Sequence, residues 1–154
     1  MRIKYGRQDI TESDIAAVVD VLKSDLLTQG PVVPLFEKAV CDFTNSKYAV
    51  AVSSCTAGLH LSSIVAGLDS NNEFLTSPIS FVSTANAGLY QNSKPNFIDI
   101  DKNTLNIDTK KILSKIKSNK KIKAIFPVHF AGHPIDIKKI RKFTDRPHLG
   151  LPLV

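Results

Sequence analysis

Several short clusters in this sequence have residue types and spacings suited to chemistry. The first is Ser53-Ser54-Cys55-Thr56, three hydroxyls and a thiol directly after the apolar run Tyr48 to Val52. Where a buried strand stops and a helix begins, free backbone N–H groups gather at the helix start. With the positive end of the helix dipole and neighbouring hydroxyls, they suit a phosphate. The same residues also suit a plainer task, in which Ser54 or Thr56 only caps the helix. Asp99 and Asp101 form a second cluster, read as solvated strand-end charges because nothing marks a partner acid. His129 and His133 are four apart, a spacing that on a helix could present a metal site. Gly132 and Pro134 oppose a helix there, so no metal is expected.

The elements that must position these groups follow from periodicity. Thr11 reads as an N-cap, with Glu12 and Asp14 in the first turn of a helix whose apolar stripe is Ile15, Val18, Val19 and Leu22. Leu26 to Pro31 ends it in an extended turn. Pro34 suits the first position of a second helix, with Phe36, Ala39, Val40 and Phe43 as its buried stripe. Tyr48 to Val52 reads as a strand buried on both faces, followed by a helix carrying Leu59, Leu61 and Ile64. Glu73 to Thr76 reads as a strand, then a helix to about Tyr90, then a strand from Pro95 to Asp101. A lysine-rich helix from Thr109 to Lys117 and a strand from Ala124 to Val128 complete the series. Strands alternating with helices predict an α/β fold with a mostly parallel sheet. Sites in such sheets lie beyond the carboxyl ends of the strands. Residues 53–56, 77–81, 99–101 and 129–133 all follow strand ends, so one rim collects every candidate.

Composition narrows the class. A chain of 154 residues with 43% hydrophobic content fits a single ordinary domain. No apolar run approaches the roughly 20 residues of a membrane span, and the N-terminus lacks a signal-peptide core, so a cytoplasmic protein is expected. Cys41 and Cys55 offer neither metal spacing nor a disulfide framework. The net charge of +6 is more than accounted for by seven lysines between Lys110 and Lys123. No aromatic residue is interleaved with them, and a solvated helix face explains the run better than nucleic-acid binding.

Six strings in order carry a resemblance: Leu27-Thr-Gln-Gly30, Phe36-Glu37, Ser54-Cys-Thr-Ala-Gly-Leu59, Thr76 to Asn86, Phe97-Ile-Asp-Ile-Asp101 and Val128-His-Phe-Ala-Gly132. Together they resemble the DegT/DnrJ/EryC1/StrS sugar aminotransferases, from about Tyr5 to about Lys142. The string Thr76 to Val82 is most similar to members acting on a nucleotide-linked 4-keto-6-deoxy sugar, as in pseudaminic acid biosynthesis. The resemblance implies part of the large domain of a pyridoxal 5'-phosphate (PLP) enzyme, with helices on both sheet faces, preceded by an N-terminal helical segment. On that division, residues 1–45 are the helical segment, 46–143 the incomplete cofactor domain and 144–154 an aberrant tail.

The resemblance also distributes roles. Ser54, Cys55, Thr56 and Ala57 would surround the cofactor phosphate, with Thr56 and the backbone at Ala57 holding it. Phe81 would stack on the pyridine ring; the alternative is a core aromatic behind a turn. Cys55 stands where the family has a smaller residue, and His133 where it often has glutamine. Tyr5 and Thr28 would touch substrate. Glutamate as amino donor, a nucleotide-sugar substrate and a homodimer of the full-length protein are implied likewise, with no nucleic acid or membrane partner. The lysine that carries the cofactor and the aspartate at its pyridine nitrogen would lie beyond the chain end. Pro147 and Pro152 oppose helix and central strand, so an N-terminal fragment with an out-of-frame tail is expected, inactive alone. Two further readings are a dehydratase of the same family and a non-catalytic module that binds phosphate or pairs with another subunit.

Overall fold

The structure, a computed structural model, describes residues 6–144. Tyr5 and the predicted tail lie outside those residues, except for Thr144, which is the buried last residue of a helix over 137–144 and so belongs to the fold. The chain divides into two units, with the boundary between Ala51 and Val52.

The first unit holds α1 (Glu12–Leu22) and α2 (Val32–Thr44). Thr11 caps α1 in a reciprocal box: its hydroxyl accepts from the Asp14 N–H, and its own N–H donates to Asp14 Oδ2 at 2.7 Å. That backbone bond, then the Thr11 hydroxyl, holds the Asp14 carboxyl below its ordinary value. Two expectations are corrected here. Helix α2 begins at Val32, so Pro34 is its third residue and not its first. A proline anywhere in the first turn gives up only an N–H that has no helical acceptor. The apolar stripes are in phase but not buried: Val18 and Leu22 are exposed, and Phe43 is 90% exposed. Periodicity sets which face is apolar; burial also needs a layer to cover it, and neither helix buries a residue.

Residues 48–52 form no strand, contrary to the reading of the apolar run. Tyr48 and Val50 are exposed, and the Ala51 N–H donates at 2.8 Å to Glu37 Oε1 in place of a sheet partner. An apolar run becomes a strand only where a neighbour supplies the ladder.

The second unit runs α3 (Cys55–Val65), β1 (Glu73–Thr76), α4 (Val82–Leu89), β2 (Lys94–Phe97), α5 (Thr109–Ser118), β3 (Ile122–Phe126), a 3-10 turn (Phe130–Gly132) and α6 (Ile137–Thr144). The strands lie in the order β2–β1–β3, all parallel. Period-two alternation splits the core across the sheet. Leu75 and Ile125 pack with Ile112, Ile116 and Ile140, the side of α5 and α6. Phe74, Ala124 and Phe126 pack with Ala66 and Leu68, at the end of α3. Helices α3 and α4 pack together, and α4 packs on β1 and β2. The sheet is thus covered on both faces, as predicted.

Strand boundaries moved for identifiable reasons. Strand β2 stops at Phe97, and Asp99 and Asp101 belong to the loop that follows, where Ile100 bridges Ile107. Strand β3 occupies 122–126 and not 124–128. Ile122 pairs with Glu73 before an irregularity shifts the register, and Pro127 has no N–H to extend the ladder.

Glu73 ties the start of the sheet together. Its Oε2 accepts from Asn96 Nδ2 on β2 at 2.5 Å and from Asn119 Nδ2, just after α5, at 2.8 Å. The Asn96 bond is the main cause that lowers its carboxyl from the ordinary 4.5; burial opposes it, and Asn119, Lys94 and Lys121 assist. A folded value below the unfolded one stabilises the fold at pH above the unfolded value and ceases to as pH falls through the folded one. Glu73→Gln should therefore lower the urea midpoint at pH 7, with the difference from wild type shrinking below about pH 4. An equal difference at pH 3 and pH 7 would show that the ionised form is not what holds these bonds.

Candidate functional site

The strand-end rim assembles around the start of α3. Ser54 is extended (φ −163°, ψ 160°), and its Oγ accepts from the Ala57 N–H at 3.1 Å. Ser54 is thus the N-cap of α3, with the Ala57 N–H as its donor. That donor is taken by the cap, whereas the Cys55 and Thr56 N–H groups have no protein acceptor among the described residues. These two N–H groups and the Thr56 hydroxyl are the donors left for a ligand at the positive end of an 11-residue helix.

The second wall comes from the turn after β1. The Ser77 hydroxyl accepts from the Ile79 N–H at 3.2 Å, turning the chain at Pro78. Phe81 is then the residue before α4, and its carbonyl accepts from the Thr84 N–H at 3.0 Å. The Ser80 and Thr84 hydroxyls meet at 2.7 Å on either side of it in sequence. The Phe81 ring is 76% exposed, so it is not a core aromatic. Phe126, Pro127 and Val128, where β3 ends, supply the third wall. Together Cys55, Thr56, Leu59, Ser80, Phe81, Ser83, Thr84 and residues 126–128 line an open cleft of about 510 Å³.

The structure therefore brings Cys55, Thr56 and Phe81 into one cleft, with Ser54 and Ala57 behind it in the cap. Thr28 is exposed in the turn before α2, in the other unit, and Tyr5 lies outside the described residues. Sequence reasoning placed Ser80 on the rim within 77–81 without giving it a role, and missed Thr84, Phe126 and Val128 as lining residues. The four-residue spacing of two hydroxyls and the strand-end position of Phe126 were the available signals.

A phosphorylated aromatic cofactor fits this cleft. Unpaired N–H donors and a hydroxyl stand at one helix start, and an exposed ring shares the space with apolar Leu59, Phe126 and Val128. No lysine lines it.

The other candidates take structural tasks. Asp99 pairs with Lys111 at 2.7 Å, and that hydrogen bond is the main cause holding its carboxyl below the ordinary value. Asp101 accepts from the N–H groups of Asn103 and Thr104. His129 and His133 flank the 3-10 turn and not an α-helix, and His129 Nδ1 accepts from the Ile135 N–H at 3.1 Å. His133 lines a separate cleft of about 320 Å³ with Asp101, Asp108 and Asp136. In each of those carboxylates one oxygen already serves a turn or a helix start. Among the described residues no three His, Cys, Asp or Glu side chains are grouped to hold a metal ion. Nor is any described helix long and apolar enough to cross a membrane.

Comparison with known proteins finds relatives of one family. The chain is 43% identical over 138 residues to the uncharacterised protein MJ1066 of Methanocaldococcus jannaschii, covering 90% of this chain and 35% of that one. It is 37% identical over 153 residues to the UDP-4-amino-4,6-dideoxy-N-acetyl-beta-L-altrosamine transaminase of Campylobacter jejuni, covering 99% of this chain and 40% of that one. Among solved structures, Helicobacter pylori PseC, an aminotransferase involved in pseudaminic acid biosynthesis, superposes with a TM-score of 0.85 at 33% identity over 97% of this chain and 40% of that one. The chain thus spans 35–40% of the length of the relatives it matches. Residues 8–153 match the family model itself, and the chain belongs to the DegT/DnrJ/EryC1/StrS aminotransferase family.

Proposed function

We propose that this chain is the cofactor-phosphate part of a PLP-dependent aminotransferase acting on a nucleotide-linked 4-keto-6-deoxy sugar. The observation that carries the proposal is the cleft in which the free N–H groups of Cys55 and Thr56 share space with the Phe81 ring. The similarity to the altrosamine transaminase and to PseC supports the sugar class. PLP supplies an electron sink for moving an amino group between a donor and a carbonyl. This chain's own residues would hold and orient it. Thr56 and two backbone N–H groups bind the phosphate, Phe81 covers one ring face, and Phe126 with Val128 keeps water from the ring edge. Glutamate as donor and a homodimer belong to the same proposal.

The chain is proposed to be inactive alone, because among the described residues no lysine lines the cleft to anchor the cofactor or move a proton. The same observation favours a second reading, a non-catalytic module that binds phosphate.

Pyridoxamine 5'-phosphate tests the site cleanly, since it has no aldehyde to react with surface lysines. Phe81→Ala should weaken its binding about fivefold, from a stacking contribution on the order of 1 kcal/mol. Fluorescence titration of wild type and variant measures this, and equal affinities would remove Phe81 from the site. With PLP itself, borohydride should leave no adduct on a cleft residue; a lysine fixed there would contradict the claim of inactivity.

A further inference from the structure

The loop that leaves the cleft after β3 is held by a side chain from a different loop. Asn106, between β2 and α5, is only 4% exposed. Its Oδ1 accepts from the Phe130 N–H at 2.9 Å, and its Nδ2 donates to the His133 carbonyl at 2.9 Å. One carboxamide therefore bonds both ends of the 3-10 turn. Between those ends Ala131 (φ 50°) and Gly132 (φ 78°) are both left-handed, a conformation unfavourable for alanine. Among the described residues, two backbone bonds, Gly132 N–H to the His129 carbonyl and His133 N–H to the Phe130 carbonyl, support the turn from within. His129 Nδ1 closes its far side on the Ile135 N–H. The segment begins one residue after Pro127 and Val128, which line the cleft, whereas Asn106 does not line it.

We propose that Asn106 is a positioning residue: through the turn at 129–133 it sets where Pro127 and Val128 stand, and so how the cleft grips the ring of its ligand. This rests on the cofactor reading of the cleft. The two ends of the cleft have separate supports. The phosphate donors sit on α3 and are fixed by the Ser54 cap, whereas the Val128 wall is fixed by Asn106. Loss of the clamp should therefore loosen the ring end and spare the phosphate end.

The test compares the whole chain with its Asn106→Asp variant, which keeps the acceptor for Phe130 but turns an oxygen toward the His133 carbonyl. Amide exchange across 127–135 should quicken about tenfold or more while β1 and β3 stay protected. Pyridoxamine 5'-phosphate should bind about five- to tenfold more weakly, while inorganic phosphate, read by competition, changes less than about twofold. Unchanged exchange, or faster exchange with unchanged pyridoxamine 5'-phosphate affinity, overturns the proposal. Loss of protection throughout the sheet, with both ligands weakened alike, would make Asn106 merely structural. Should the Asp variant fail to fold, Asn106→Gln keeps both bonding groups on a longer arm, and the same split between the two ligands is required of it. Absence of binding by the wild type would sink the cofactor reading itself, and is recognisable before any substitution is made.

Discussion

Gly88→Ala should destabilise the second unit by about 2–3 kcal/mol, the upper part of the range for overpacking a close-packed core. A Cβ built at Gly88 would lie 2.1 Å from Phe74 Cε1 and 2.6 Å from both Cδ1 and Cζ. Phe74 has no exposed surface and makes an edge-to-face contact with Phe126 at 5.2 Å, so its ring has nowhere to move. Alanine would otherwise favour a helix by roughly 1 kcal/mol over glycine. The clash exceeds that gain because the obstacle is a fully buried ring on the central strand. Urea unfolding of wild type, Gly88→Ala and the double variant with Phe74→Leu measures the effect. The double variant should recover part of the loss; a midpoint unmoved by Gly88→Ala would mean that α4 does not pack on β1 as described.

Phe126→Ala should cost about 3–5 kcal/mol, the usual range for emptying a buried aromatic site. Phe126 has no exposed surface, its ring meets Phe74, and its carbonyl accepts the buried Thr76 hydroxyl at 2.9 Å. It also lines the cleft, so the substitution couples stability to binding in a way that Gly88→Ala does not. Phe126→Leu, which keeps most of the volume, should fold with a loss below about 1.5 kcal/mol and still bind pyridoxamine 5'-phosphate more weakly than wild type. Comparable affinity in the Leu variant would place the ring of the ligand elsewhere.

The sheet and its helices were legible in the sequence because their signals are local. Glu73 to Thr76 is a strand at the residues expected, and Ile112 and Ile116 face the core as their spacing required. The two largest misreadings involve a partner that a local pattern does not contain. Tyr48 to Val52 has the composition of a buried strand but no ladder, and the stripe at Val18 and Leu22 has the phase of a buried face but no cover. The site divides the same way. A strand–hydroxyl–helix pattern pointed to Cys55 and Thr56, but which N–H the cap consumes depends on the backbone of Ser54. Asn106 lies 24 and 27 residues from its two partners, beyond the reach of any spacing rule.

The central claim is that the start of α3 holds a phosphate ester whose ring lies against Phe81. Its most direct test is to titrate the chain with pyridoxamine 5'-phosphate and with unphosphorylated pyridoxamine, following ligand fluorescence. The account predicts saturable binding of the phosphate ester, at least about tenfold tighter than the free alcohol and displaced by inorganic phosphate. Equal affinities, or binding that inorganic phosphate does not disturb, would contradict it.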